Sequence, residues 1–355
     1  MKMLYLIVWF CLHGVVCGSG HRDMAWSGGP ARLECDHAAE MFMLKGQHVK
    51  ENVIAVKAIA YKDDVYVLTP RLKRGVLATI WLVVAASRGV ELQPYPDLSS
   101  HAVGDCRKLQ NAVDFYLDHF GNLWVLDSGI IETLGQPLCT CQPKVLVLSL
   151  LLHQTTRELD LAGLVQPASL LQGIVVEYGI DGKQFVYISD ASRGAIIVYD
   201  VPAGTGWSVL ACAPAAGLQL AIIRRALGHA ALVLVRIPHA GLIELDTGAL
   251  RRQETLAPLR LFGEHTHIII LGASAHHVFL RLASSTDVLS WDTKAAFDSH
   301  HLETLHSSVP SLLPTSVAVD PLLYSIIVLD SNYPDTVQGN GPTYHRISFV
   351  DKIIY

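Results

Sequence analysis

A chain of 355 residues, 51% hydrophobic and only 17% charged, has ample material for one large core. Its formal charge of −5 comes with no basic stripe, which excludes a nucleic-acid-binding role. So high an apolar share points to an exposed apolar surface or to a densely packed extracellular setting.

The chain opens with one lysine, an apolar run from Met3 to Cys11 and small residues at Cys17–Gly20. That order reads as a secretory signal peptide over residues 1–18 and predicts a secreted, extracellular protein. The run is too short to span a bilayer, and no later segment reaches about 18 consecutive apolar residues, so no membrane span is expected. Cleavage leaves roughly 335 residues, and losing Lys2 takes the formal charge from −5 to −6. Residues 19–49 form a lead-in whose first part, Ser19–Glu34, is polar and Gly-rich. No Pro, Ser or Gly tract divides residues 50–355, which are read as one domain.

Within that domain a short apolar strand pattern recurs six times, beginning at Val65, Leu123, Phe185, Ala231, His277 and Ser325. A second strand-like run follows each copy: Ala78–Val84, Lys144–Leu150, Ala195–Val201, Gly241–Asp246, Val288–Asp292 and His345–Val350. Turn residues precede several copies, as at Asp63-Asp64, His119–Asn122, Asp181–Lys183 and Asp320-Pro321. A recurrence with several strands per unit predicts an all-β fold, a six-bladed β-propeller with four-stranded blades around a central channel. Helical periodicity is sparse, and the best short helices are expected at Leu159–Gln166 and Thr293–Leu305. Closure requires an N-terminal strand to pair with the last blade, and Asn52–Tyr61 with His345–Tyr355 are the expected partners.

Five cysteines survive cleavage: Cys35, Cys106, Cys139, Cys141 and Cys212. In an oxidising compartment most should pair, and the odd number leaves at least one thiol over. Cys139 and Cys141 flank Thr140 too closely for an easy mutual bridge, so one of them is expected to reach Cys106. The spare thiol is either buried or linked to another chain.

The stretch from Asp118 to Leu150 carries Asp118, Gly121, Leu123, Trp124, Leu126, Asp127, Gly129, Cys141, Pro143 and Lys144 at characteristic spacings. With YVLTPRLKRGV at Tyr66–Val76 and FVYISDASRGAIIVYDV at Phe185–Val201, it resembles the Yellow/major royal jelly protein family of insects. Within that family the chain is most similar to the yellow-g type, through ENVIAVKAIAYKDDVYV and LWVLDSGIIETLGQP. The likeness covers most of Lys50–Asn332 and weakens beyond Gly204. It implies a structural role in the eggshell (the vitelline membrane) or a related cuticle matrix, among other extracellular matrix or eggshell proteins. The motif residues themselves read as structural. Trp124 supplies buried area between blades, and Asp127-Ser-Gly129 ends its strand with an acceptor and a flexible residue. The cations of Pro70–Gly75 are expected to meet a blade-edge carboxylate.

No catalytic set stands out. The chain has no G-x-S-x-G, Walker or dinucleotide signature, and Cys212 is flanked by apolar residues. The pairs His265/His267, His276/His277 and His300/His301 lack a placed third ligand, so no metal site and no cofactor are assigned. Asp127, Asp190, Asp330 and Asn332 close their strands and are the best candidates to converge on the channel as a ligand site. Some family members resemble amine-binding salivary proteins, and Asn332 and Thr315 match positions that hold the amine there. Pro334 stands where those proteins have an aromatic ring. The sequence therefore reads as a non-enzymatic matrix propeller. The alternative is a binder of a small aromatic amine or a dopachrome-converting enzyme of melanin formation.

Overall fold

The structure, a computed structural model, describes residues 23–350 apart from 88, 180, 226–227, 255–259, 264 and 323–324. The expected signal peptide therefore lies outside the described residues. Six four-stranded antiparallel sheets are arranged as blades. Each of the six sequence copies forms the second strand of one blade: Asp64–Leu68, Asn122–Asp127, Gln184–Asp190, Ala230–Ile237, His277–Leu282 and Ile326–Ser331. The runs after them form the third strands, from Ile80–Ala86 in blade 1 to Tyr344–Val350 in blade 6. The first strands are Lys57–Tyr61, Ala112–Leu117, Leu171–Tyr178, Gly217–Arg224, Ile268–Ser274 and Leu313–Val319. They pack against one another around the axis.

Burial explains why the middle strands were visible. Second and third strands are covered on both faces by neighbouring blades, so they read as continuous apolar runs. The outer strands face solvent and carry polar sequence, as in Gln154–Asp160, where all but one residue is exposed. Six hydrophobic clusters fill the six junctions between consecutive blades. Trp81, Trp124 and Trp291 are among the largest fully buried side chains and sit in three of them.

Trp124 also fixes a turn. Its indole N–H donates to Asp118 Oδ2 at 2.9 Å, while Asp118 Oδ1 accepts from the backbone N–H groups of Phe120 and Asn122. Gly121 has φ +78° in that turn, and a Cβ there would lie 2.4 Å from the Tyr61 hydroxyl. Only glycine fits.

Three expectations need correction. The ring is closed by Met24–Ser27, which pairs antiparallel with Tyr344–Val350; Lys57–Tyr61 is instead the first strand of blade 1. Residues 154–160 are the outer strand of blade 2, leaving only a 3-10 turn at Ala162–Leu164. Thr293–Leu305 holds turns and the start of the strand Leu302–Ser307, because residues 293–301 carry too few buried positions to hold a helix against the blade. No helix among the described residues is long and apolar enough to cross a membrane.

Candidate functional site

A cavity of about 830 Å³ opens at the end of the channel where the first strands of blades 2–4 begin. Its apolar walls include Val56, Leu72, Val113, Ile130, Val165 and Ile237. Its polar groups are hydroxyls, amides and sulfur, from Ser128, Thr133, Gln142, Gln166, Ser169, Gln172, Gln219 and the cysteines Cys139 and Cys141. Among the described residues the lining includes no charged side chain and no histidine.

The walls are held by bonds that cross from blade to blade. Lys57 Nζ donates to Asp114 Oδ1 and to the Phe115 carbonyl, both at 2.7 Å, joining blades 1 and 2. Asp114 Oδ2 accepts from Ile174 N in blade 3, and Gln172 Oε1 accepts from Leu218 N in blade 4. Gln219 Oε1 accepts from Ile270 N in blade 5, and Ser316 Oγ accepts from Ala58 N, joining blade 6 back to blade 1. Bulges interrupt the register of the first strands at Ala112/Asp114, Leu171/Ile174, Ile270/Gly272 and Pro314/Ser316. A bulge leaves backbone N–H groups outside the ladder; Asp114 and Gln219 of a neighbouring blade accept from Ile174 N and Ile270 N, and Ser189 Oγ of the same blade accepts from Gly173 N.

The strand-end aspartates lie on the same face, but each serves the loop that leads into its own blade. Asp127 is fully buried and accepts from the backbone N–H groups of Gln110, Asn111 and Gly129, with Lys144 Nζ at 3.4 Å. Asp190 accepts from Ser169 Oγ, Leu170 N and Ser192 Oγ. Asp330 accepts from Ser308 Oγ at 2.6 Å and has His306 Nε2 at 3.0 Å. None of the three lines the cavity. Asn332 spends its Oδ1 on Tyr344 N, and Thr315 Oγ1 donates to the Leu329 carbonyl. Both belong to blade 6, away from the walls of the cavity.

The family model described as Major royal jelly protein matches residues 110–213. Dopaminechrome tautomerase of Drosophila melanogaster is 28% identical over 174 residues, which are 47% of this chain and 38% of that protein. Protein yellow of the same fly is 26% identical over 171 residues, 46% of this chain and 32% of that protein. These findings support the Yellow/major royal jelly protein family. The matches span well under half of the length of those relatives. Among solved structures, a luciferin-regenerating enzyme aligns with TM-score 0.51 at 10% identity, over 86% of this chain and 96% of that one, a likeness of fold alone.

Part of the stretch matched by that family model builds one wall of the cavity. Ile130–Ile131 pairs with Leu138–Cys139 as a short hairpin, and Cys141 beyond it is bonded to Cys106. Gly129, at φ +68°, lies under that hairpin, where a Cβ would come 2.1 Å from the Cys141 carbonyl oxygen. Cys139 is free and exposed, as is Cys35, and Cys212 is free and partly buried. Burial raises the Cys212 thiol pKa, which keeps it protonated.

The loop Pro70–Gly75 also departs from expectation. Arg71 is buried and donates to the carbonyls of Val76, Leu77, His101, Leu109 and Gln110 rather than to a carboxylate. Burial lowers its pKa to about 10, opposed by the charge of Asp127. Lys73 donates to the Thr336 carbonyl at 2.6 Å. His265 and His267 are exposed in the loop before Ile268–Ser274 and share no strand face. Among the described residues no three His, Cys, Asp or Glu side chains gather as a metal site. Sequence reading missed Gln142, Gln172 and Gln219; the last two stand near the start of first strands, the positions that look across the channel mouth.

Proposed function

We propose that this protein is a secreted, non-enzymatic propeller of the Yellow/major royal jelly family, with a structural role in the eggshell or a related cuticle matrix. One observation carries the reading: the free thiols of Cys35 and Cys139 are both exposed, available for linkage to neighbouring chains. Exposed apolar side chains beside them, Met41, Met43 and Leu44 near Cys35 and Leu134 and Leu138 near Cys139, suit a protein packed against others.

Non-reducing gels of eggshell extract test this reading. The chain is expected in oligomers that collapse to monomer on reduction and that are lost when both Cys35 and Cys139 are replaced by Ser. Recovery as an unlinked monomer from mature shell would overturn it.

The second reading is a small-molecule binder, or an enzyme acting on a dopachrome-type substrate, as the name of the dopaminechrome tautomerase relative suggests. The cavity favours it, since about 830 Å³ falls within the roughly 300–1,000 Å³ of small-molecule sites. Calorimetry with dopamine or serotonin and an assay of dopachrome turnover test it.

A further inference from the structure

The strongest unassigned feature of the molecule is the chemistry of the cavity wall. We propose that the channel-mouth cavity binds an uncharged, largely apolar small molecule and discriminates against ammonium cations. This rests on the second reading above, that the cavity is a ligand site.

The lining is the first support. Eight branched aliphatic side chains stand on the wall, and among the described residues every polar group on it is neutral. Gln219 uses its Oε1 on Ile270 N, which leaves its amide N–H groups to donate to a guest. Thr133 and Gln142 add a hydroxyl and a second amide at the rim.

Charge is the second. An ammonium entering the cavity gives up water and needs an unpaired carboxylate in return. The carboxylates on the surrounding strands are already compensated. Asp114 has Lys57 at 2.7 Å, Asp127 has Lys144 at 3.4 Å, and Asp190 has three hydrogen-bond donors with Arg193 at 3.9 Å. A neutral guest incurs no such cost.

The mouth is the third. Leu170 on the lining is 44% exposed, and Leu134 and Leu138 on the adjoining hairpin are 49% and 55% exposed. An apolar rim around an apolar cavity extends the surface that a neutral guest would cover, and each leucine stabilises the bound form only when that guest is itself apolar.

The test uses the full secreted chain and N-phenyl-1-naphthylamine, a fluorescent probe uncharged at neutral pH. Saturable fluorescence enhancement is expected, with dopamine and serotonin failing to compete. Cys139 lines the cavity and gives a site-specific readout. Maleimide labelling mapped by peptide should slow at least fivefold at Cys139 with probe bound and stay unchanged at Cys35. Val113→Arg should weaken the probe at least tenfold. Thr133→Trp, at an exposed position that the fold does not need, should do the same if Val113→Arg fails to fold. Displacement of the probe by dopamine, or protection of Cys139 by dopamine alone, overturns the neutral class while leaving the ligand-site reading intact. Binding of neither molecule, or probe binding that neither protects Cys139 nor responds to the variants, overturns both.

Discussion

Asp127 receives three backbone N–H groups and lies beside Lys144, with both side chains almost wholly out of solvent. Replacing it by Ala strands the ammonium and three donors, a loss of about 3–5 kcal/mol expected for one partner of a buried pair. Urea unfolding of Asp127→Ala measures it, and Asp181→Ala, from an exposed pair with Lys183, should leave the midpoint unchanged. Two buried imidazoles give a pH dependence. His101 accepts from Thr79 N and contacts the Tyr95 carbonyl, and His345 accepts from Ala55 N while stacked on Trp26. Burial lowers both pKa values to about 3, with the Arg71 charge adding to the effect at His101. The unfolded chain binds these protons near pH 6.5 and the folded one only near 3, so stability is complete above about 6.5 and falls as pH drops toward 3. Each imidazole should contribute a slope on the order of 1 kcal/mol per pH unit in that window. Urea midpoints between pH 7 and 4.5 should decline, and His345→Asn should make the decline shallower. At this scale the strand-ending role of Asp127 and Gly129 was legible, because an acceptor followed two residues later by glycine is local chemistry. The glutamines of the cavity were not, because their partners lie some 50 residues away.

Elements were legible where burial was two-sided. All six second strands and their followers stand within a few residues of their sequence copies, since an apolar run bounded by turn residues has few alternatives. Outer strands were not, and Gln154–Asp160 shows why. Six of its seven residues are exposed, so no periodic apolar face marks it, and only hydrogen bonding to Lys144–Ser149 makes it a strand. The hairpin Ile130–Ile131/Leu138–Cys139 decides the disulfide in the same way. It turns Cys139 outward and leaves Cys141, buried next to Lys144 and Gly129, to meet Cys106 with Cα atoms 5.4 Å apart. That bond closes a loop of 35 residues. By the loop-entropy relation it restricts the unfolded chain by about 4 kcal/mol. The double variant Cys106→Ser/Cys141→Ser should lose about that much in urea unfolding, whereas Cys139→Ser should match the parent.

For the whole molecule, the decisive contact is the one that makes six blades a ring. Met24–Ser27 pairs with Tyr344–Val350, Trp26 stacks on His345 at 5.0 Å, and Arg346 reaches Asp23 at 2.5 Å. The chain then crosses to blade 1, where Ala31 bridges Leu92 and Arg32 N donates to the Leu92 carbonyl. A segment of four strand residues thus fastens blade 6 and is tethered to blade 1. It could not be read from sequence, because MAWS has neither alternation nor length, and its partner lies about 320 residues downstream. Removing residues 23–27 exposes the edge of Tyr344–Val350 and opens the hydrophobic junction that holds Trp26, Trp81 and Ile347. The truncated chain should unfold at lower urea and associate with increasing concentration, because an open edge recruits strands from other copies. Trp26→Ala keeps the backbone pairing and removes only the buried ring, so it should cost about 3–5 kcal/mol without causing association. A synthetic peptide of residues 23–32 should restore the truncated chain to a monomer in light scattering. If the truncated chain stays monomeric and as stable as the parent, the N-terminal strand is ornament and the six blades hold the ring by their junctions alone.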